Sequence, residues 1–426
     1  MEKDFTNKAR ALNSIVRRGR IRTHLIMMDM TNAGHVNGVS RCVEILAESM
    51  ARDNSFHVVW IRFCHNLSGK VQTRFLKGYT LVVFPLPEDI SNFLRNKSVR
   101  LNYWKKTYEQ IHSLLEGNTI LHIHTLNLME FALLIKKHIS CKIVTHLHCL
   151  PWKGLYNTDF NRFNQLYELY YIKKDYHNPS LFIRQDYEYA AYTKSDCLVC
   201  VTECARDFIY RTCPEHTNLQ VVTNGIQDLA SQTIDKTYRE AIRCVFVGNP
   251  NTSKGLWFVL TAMQGVLIQH PASLVIVGAI PNDMRNKILS KFPFLDIRFT
   301  GQVSFEQLIR IYAGCDIGLI GSVQEQCSYV AIEMMMMGLP VITTDVDGLD
   351  EIFTSGLNGF KIPVTFKAQV GLQVDVVKMS EAIVRLGKDV RLRKKMGDNA
   401  RKTFLKRHSL KQMTERMKGI YKSMLS

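Results

Sequence analysis

Apolar runs of strand length alternate with helix-period patterns along nearly the whole chain, and the alternation is run through twice. The first pass takes in Thr23 to Met28, a segment with Val39, Val43, Leu46 and Met50 on one helical face, and then Phe56 to Phe63, Thr80 to Phe84, Thr119 to His124, Lys142 to Leu147 and Asp196 to Val201. The second restarts at Arg243 to Val247 and continues through Ser273 to Gly278, Ile297 to Thr300, Asp316 to Ile320 and Leu339 to Thr343. Strands alternating with helices imply parallel sheets covered on both sides. With 426 residues the chain can bury two sizeable cores. The pattern therefore predicts an α/β protein of two doubly wound, Rossmann-like domains. The polar segment Asn224 to Tyr238, which contains Gly225, separates the two cycles. It places the first domain within residues 1–230 and the second within 240–408. Open α/β sheets bind ligands outside the carboxyl ends of their strands, so the expected site is a cleft where two such edges face each other.

The segment GSVQEQCSYVAIE, Gly321 to Glu333, sets Glu325 and Glu333 across a strand-to-helix junction. An apolar helix from about Tyr329 to Met337 is expected, with Ser328 fitting the N-cap, Gly338 the C′ position and Pro340 just beyond. If the whole interval were helical, the two carboxylates would stand roughly 12 Å apart and about 80° around the axis. That span fits a sugar at one end, a ribose at the other and a diphosphate between, with the free N–H groups of the helix start facing the phosphates. Two solvated helix glutamates would give the same spacing, and the flanking segments decide between the readings.

In chain order those segments are MMDMTNAGHVNGVSR, VTHLHCLPW, VVTNGI, VFVGNPNTSKG, LVIVG, IRFTGQVSFEQLIRIYAGCDIGLI, the E-x7-E segment, GLPVITTDVDGLDEI and NGFKI. The ordered set resembles the family-4 retaining glycosyltransferases of GT-B architecture over nearly the whole chain. The resemblance implies two Rossmann-like domains facing across a cleft, with a final helix, within residues 410–426, packing back on the first. It implies retaining transfer of a hexose-type sugar from a nucleoside-diphosphate sugar to a glycan, lipid-linked or peptide acceptor in cell-surface glycan or glycoconjugate synthesis. It also implies residue roles. Lys254 would hold the diphosphate, Gly38 would let backbone approach the phosphates, and His148 would contact sugar and phosphate near the reacting carbon, with His124 a secondary, structural candidate. Glu325 would meet the sugar hydroxyls and Glu333 the ribose. Asn249 stands where the family usually has an arginine, and Cys327 and Ser328 stand where it usually has an aromatic residue and a glycine. These departures leave open a degenerate, non-catalytic relative that binds sugar nucleotides or polyanions. A synthase of the same fold with a small soluble acceptor is a further alternative, against which the basic charge and an aromatic insertion weigh.

No cofactor and no metal are expected, since the family lacks a dependable D-x-D motif. Alternation along two strands puts His122 with His124, and His146 with His148, on shared faces. Four such histidines read as a zinc site only if a carboxylate or cysteine pattern completes them. None is evident in the spacing.

Fifty-five Lys plus Arg against 38 Asp plus Glu give a net charge of +17, concentrated in Arg17 to Arg22 and in Arg391 to His408. Such a field attracts polyanions. No RNA- or DNA-binding motif accompanies it, so nucleic acid is not an expected partner. An anionic membrane surface is, at on the order of 1 kcal/mol per basic residue, although ordinary solvated helix faces account for the charge equally well. Between Pro151 and Tyr192 lies an aromatic stretch with Trp152, Tyr156, Phe160, Phe163, Tyr167, Tyr170, Tyr171, Tyr176 and Phe182. Its rings fit sugar stacking, a bilayer interface or plain helix packing. No apolar run approaches the ~18 residues of a membrane span, and the charged start has no apolar segment behind it. The 11 cysteines form no even framework and read as reduced thiols, Cys197 and Cys200 within a buried strand. A cytoplasmic protein, peripheral on the inner face of the membrane, is expected.

Overall fold

The computed structural model describes residues 23–32, 38–65, 67, 69–115, 117–155, 160–175, 181–182, 186–230, 241–367 and 370–425. The basic run Arg17 to Arg22, part of the loop before Gly38, Tyr156, Tyr176 and the later part of the Asn224 to Tyr238 connection lie outside the described residues.

The first sheet contains β1 (Thr23–Asn32), β2 (Phe56–His65), β3 (Gln72–Leu76), β4 (Tyr79–Pro85), β5 (Thr119–Ile123), β6 (Cys141–Leu147), β7 (Cys197–Cys200) and β8 (Leu219–Val221). Its order is β3-β4-β2-β1-β5-β6-β7-β8, parallel throughout except at the edge, where β3 runs antiparallel to β4. The second sheet contains β9 (Ile242–Val247), β10 (Ala272–Val277), β11 (Asp296–Gly301), β12 (Ile317–Ile320), β13 (Val341–Thr344) and β14 (Gly359–Ile362), in the wholly parallel order β11-β10-β9-β12-β13-β14. A hairpin of β15 (Val364–Lys367) and β16 (Gly371–Val374) follows. Helices cover both faces, which is why Leu25, Ile26, Met27 and Met28 are all buried in succession on β1.

Each sheet reverses its winding once. The first grows outward from β1 to β2 and then returns to lay β5 on the other flank; the second does the same at β9 and β12. Loops leaving the carboxyl ends of such neighbours diverge and open a crevice. The crevice loops of the first domain lead to Gly38 and His124, and those of the second carry Lys254 and Glu325.

Two chain crossings join the halves. The Ile226 amide donates to the His408 carbonyl (3.0 Å) and the Leu410 amide to the Ile226 carbonyl (2.8 Å), so the outgoing and returning segments run side by side. The approach is close enough that a Cβ on Gly225 would stand 2.6 Å from the Ser409 carbonyl oxygen. Capped by Ser409, the last helix, Leu410–Ser423, packs on the Gly38–Ala51 helix of the first domain. There Thr414 meets Ser49 (2.7 Å) and the Tyr421 hydroxyl meets His122 Nδ1 (2.7 Å).

Two alternatives left open by the sequence are resolved. The interval from Glu325 to Glu333 is not continuous helix: residues 321–328 are irregular, and helix Tyr329–Met336 begins only where Ser328 accepts the Ala331 amide (3.3 Å). The helical separation of the two carboxylates does not apply, because the Val323 amide is held by the Ser253 carbonyl (2.9 Å) and the loop packs backbone to backbone against Gly255. In the aromatic stretch, Trp152, Phe163, Tyr170 and Phe182 are buried against one another and Phe208, so these rings build core and do not face a ligand or a bilayer.

Candidate active site

The second domain contributes a charged pair. Lys254 lies in the turn after β9 that starts helix Leu256–Val266, and its Nζ donates to Glu325 Oε2 at 2.5 Å. Glu325 also accepts from Ser322 Oγ (3.4 Å). The two loops meet because both are glycine at the contact. A Cβ on Gly255, whose φ is +65°, would stand 1.8 Å from the Gly321 carbonyl oxygen, a clash no side chain survives. The pair is only partly open to water: the Lys254 side chain is 34% exposed and that of Glu325 15%. Asn249, in the same turn, is exposed.

Opposite lies a neutral wall. His124 Nδ1 and His148 Nε2 are 2.9 Å apart, just past the ends of β5 and β6, and the rings of His146 and His148 stack at 4.3 Å. Burial holds the His148 and His122 rings down to about pKa 3. His124 and His146 also lie well below the ordinary value, from burial first and the neighbouring imidazoles second. All four rings are therefore uncharged at neutral pH. Beneath them Asp29 accepts from Ser40 Oγ (2.8 Å) and Trp60 Nε1 (2.7 Å), tying β1 to the helix that begins at Gly38. Burial raises its pKa despite the nearby Arg62.

Between the walls is a cavity of about 260 Å³. Gly38, Val39, His148, Cys149, Leu150, Lys153 and Asn224 line one side, and Gln324, Glu325, Gln326, Cys327, Tyr329 and Asp347 the other. A Cβ added to Gly38 would meet only the Tyr329 ring, at 3.8 Å, so the helix start faces open space. Of the residues singled out from sequence, Gly38, His148, Glu325 and Cys327 border this cavity, and Lys254 joins them through Glu325. Asn249, Ser328 and Glu333 are not among its lining residues. Ser328 is taken up by its helix cap. Glu333 is buried, accepting from Tyr312 Oη (2.9 Å) on one oxygen and ion-paired with Arg41 of the first domain on the other. The Arg41 guanidinium is itself sandwiched by Phe305 (4.7 Å) and Tyr329 (4.9 Å). Cys327 is held across the cleft by Asn224, whose amide side chain donates to the Cys327 carbonyl (2.9 Å).

Sequence reasoning missed two cleft-spanning pairs. Lys153 and Asp347 form a buried ion pair at the cavity, and Asp347 takes a left-handed backbone (φ 45°) to present its carboxylate. Arg41 is the other. The only signal for either was a charge inside an otherwise apolar or turn-forming segment, and partners 194 and 292 residues away are invisible to local spacing.

Among known proteins, the model described as Glycosyltransferase Family 4 matches residues 36–228, and that described as Glycosyl transferases group 1 matches 241–389. An uncharacterized glycosyltransferase of Methanocaldococcus jannaschii is 30% identical over 182 residues, 42% of this chain and 44% of that protein, so the match spans less than half of the relative. Sucrose-phosphate synthase from Thermosynechococcus elongatus superposes over 95% of this chain and 99% of its own with a TM-score of 0.72 at 15% identity. Anabaena HepE, solved with UDP and glucose, does so over 94% and 99% with a TM-score of 0.66 at 13% identity. At such identities the superpositions speak for the GT-B fold alone. With both halves matched in order and the two sheets wound as that architecture requires, the chain belongs to the family-4 glycosyltransferases.

Proposed function

We propose that this protein transfers a hexose-type sugar, with retention of configuration, from a nucleoside-diphosphate sugar to a glycan, lipid-linked or peptide acceptor in cell-surface glycan or glycoconjugate synthesis. The observation that carries the reading is the Lys254–Glu325 pair, delivered by the two crevice loops of the second domain to a cavity whose far wall is Gly38 and His148. Departure of a diphosphate builds negative charge, and a cation held beside it in a partly dry cleft stabilises that charge most. Lys254 is such a cation, with Glu325 beside it to receive the sugar hydroxyls. Lys153, on the first-domain side of the cavity, supplies a second positive charge to a site whose second-domain turn has Asn249 in place of the usual arginine.

Both carboxylates that border the cavity, Glu325 and Asp347, are engaged by lysines. This favours a front-side displacement in which a leaving phosphate oxygen takes the acceptor proton over one with a protein nucleophile. In this reading the transfer needs no metal and no cofactor. Glu333 receives the ribose once Arg41 shares its carboxylate oxygen. Because HepE was solved with UDP, uridine diphosphate sugars are the first donors to try. The basic helix Val390–Thr403 displays Arg391, Lys394, Lys395 and Lys402 together, which suits docking on an anionic membrane where a lipid-linked acceptor would lie. Among the described residues no helix is long and apolar enough to cross a membrane.

Incubation with UDP-, GDP- and ADP-sugars should release nucleoside diphosphate from at least one, and proton NMR of the product should show the donor's anomeric configuration. The second reading, a binding module that has lost catalysis, is favoured by Asn249 and by the Arg41 clamp on Glu333. It predicts calorimetric binding of a nucleotide without any release.

A further inference from the structure

The histidine wall holds a fifth donor that no local spacing reveals. Cys42, on the buried face of helix Gly38–Ala51, brings its sulfur to the same point as His124, His146 and His148. One ligand atom from each of the four lies within 4.8 Å of all the others. The sheet makes this possible: β5 and β6 are neighbours, and residues two apart on each share a face, so the rings stack in two files under the helix that carries the thiol.

Three of the four residues are buried, His148 is half-buried at the cavity, and the cluster is underbonded. Cys42 is 0%, His146 1% and His124 4% exposed. Neither ring nitrogen of His146 has a hydrogen-bond partner, nor does Nε2 of His124. A neutral imidazole always carries one N–H donor and one lone pair, and leaving such a group buried and unpaired is unfavourable. A cation offered one lone pair from each of the four residues would engage a nitrogen of His146 that otherwise has no partner.

We propose that Cys42, His124, His146 and His148 bind one zinc-class transition metal ion, in a site of one thiolate and three imidazoles between the first-domain helix and sheet. The donor set selects the metal. One thiolate with three imidazoles and no carboxylate suits zinc, and disfavours the oxygen-seeking calcium and magnesium. Zinc bonds of about 2.0–2.3 Å set tetrahedral ligand atoms roughly 3.3–3.8 Å apart, so no separation here needs to close by more than about 1.5 Å. Filling the site would pin the helix start at Gly38 to the sheet and fix the ring of His148, both of which border the cavity. The role is structural support of that wall, and the transfer chemistry proposed above does not pass through the metal.

The test uses the full chain, stripped with a chelator and titrated with zinc chloride and with cobalt chloride. One equivalent of zinc should bind and raise the thermal midpoint, releasing protons as the thiol ionises. Cobalt should give the visible bands of a tetrahedral site with a thiolate-to-metal band in the near ultraviolet. Cys42→Ser should abolish the thiolate band, and His146→Gln should weaken binding at least tenfold. A wild-type chain that binds neither metal saturably, or binds cobalt without the thiolate band, would overturn the proposal whether or not the variants fold. So would binding unchanged in both variants. Because metal content and spectrum are read without any sugar nucleotide, failure here leaves the glycosyl-transfer reading standing, and the reverse holds as well.

Discussion

The two domains use one topological device and furnish it with opposite chemistry. At the crevice of the second, glycine backbones press together and hold a lysine and a glutamate in contact; at that of the first, four uncharged imidazoles stack on one another and three of them meet a buried cysteine. The charge of the second domain's crevice is partly screened from water. Without a bound ion the first domain's face carries no charge of its own. The contrast teaches that in this architecture winding sets where a site lies, and loop residues set what it binds.

The contrast breaks most severely at the glycine contact. Gly255→Ala places a Cβ 1.8 Å from the Gly321 oxygen and should cost about 3 kcal/mol or more, seen as a large fall in thermal midpoint together with lost nucleotide binding. An unaltered midpoint would mean that the loops are not held as described. Next come Lys254→Ala and Glu325→Ala, each expected to lower turnover tenfold or more, about 1.4 kcal/mol or greater in barrier, with the fold intact. Since the two side chains touch, the double variant should lose less than the sum of the single losses. Additive losses would show that they act separately. His148→Ala, on the neutral side, should reduce turnover by a smaller factor, roughly fivefold or about 1 kcal/mol in barrier, and should leave nucleotide affinity unchanged. An equal loss of affinity would erase the proposed division of labour between the walls.

Acid should act at the crossing as well as at the four imidazoles of the first-domain wall. Burial holds His408 down to about pKa 4 from an ordinary 6.5, against its contact with the Asn224 carbonyl. The unfolded chain therefore binds the proton more readily. The stabilising contribution of the neutral ring is complete above pH 6.5 and is lost as pH falls from there toward 4. Denaturant midpoints for wild type and His408→Gln should converge as pH falls through that window, and parallel curves would refute the assignment. At the surface the effect is confined to docking: Lys394→Glu with Lys395→Glu should weaken binding to anionic vesicles by about 1 kcal/mol per residue and leave turnover on a soluble acceptor as it was. Vesicle binding that ignores the substitutions would remove the membrane from the account.

Much of this was legible in the chain. Strands fully covered by helices announce themselves as apolar runs, so β2, β9 and β13 were placed to within about two residues. The edge strand β3 and the hairpin strand β15 were not, since their residues are mostly exposed or alternate and form no run. At the site, Gly38, His148 and Glu325 were found because the motif segments are local. Cys42, Arg41 and Asp347 were not, because each acts on a partner brought near only by the tertiary fold. Cys42 in particular is indistinguishable from a small core residue until β5 and β6 are laid beneath it.

The paired crossing at Ile226 and Ser409 has a mechanical consequence. Two strands of chain fastened side by side behave as a door hung on a pair of adjacent pins: swinging about their common line is permitted, while twisting or sliding apart is resisted. Severing either strand alone should leave the halves travelling as one particle in gel filtration, and their separation after a single cut would show that the hinge carries no load.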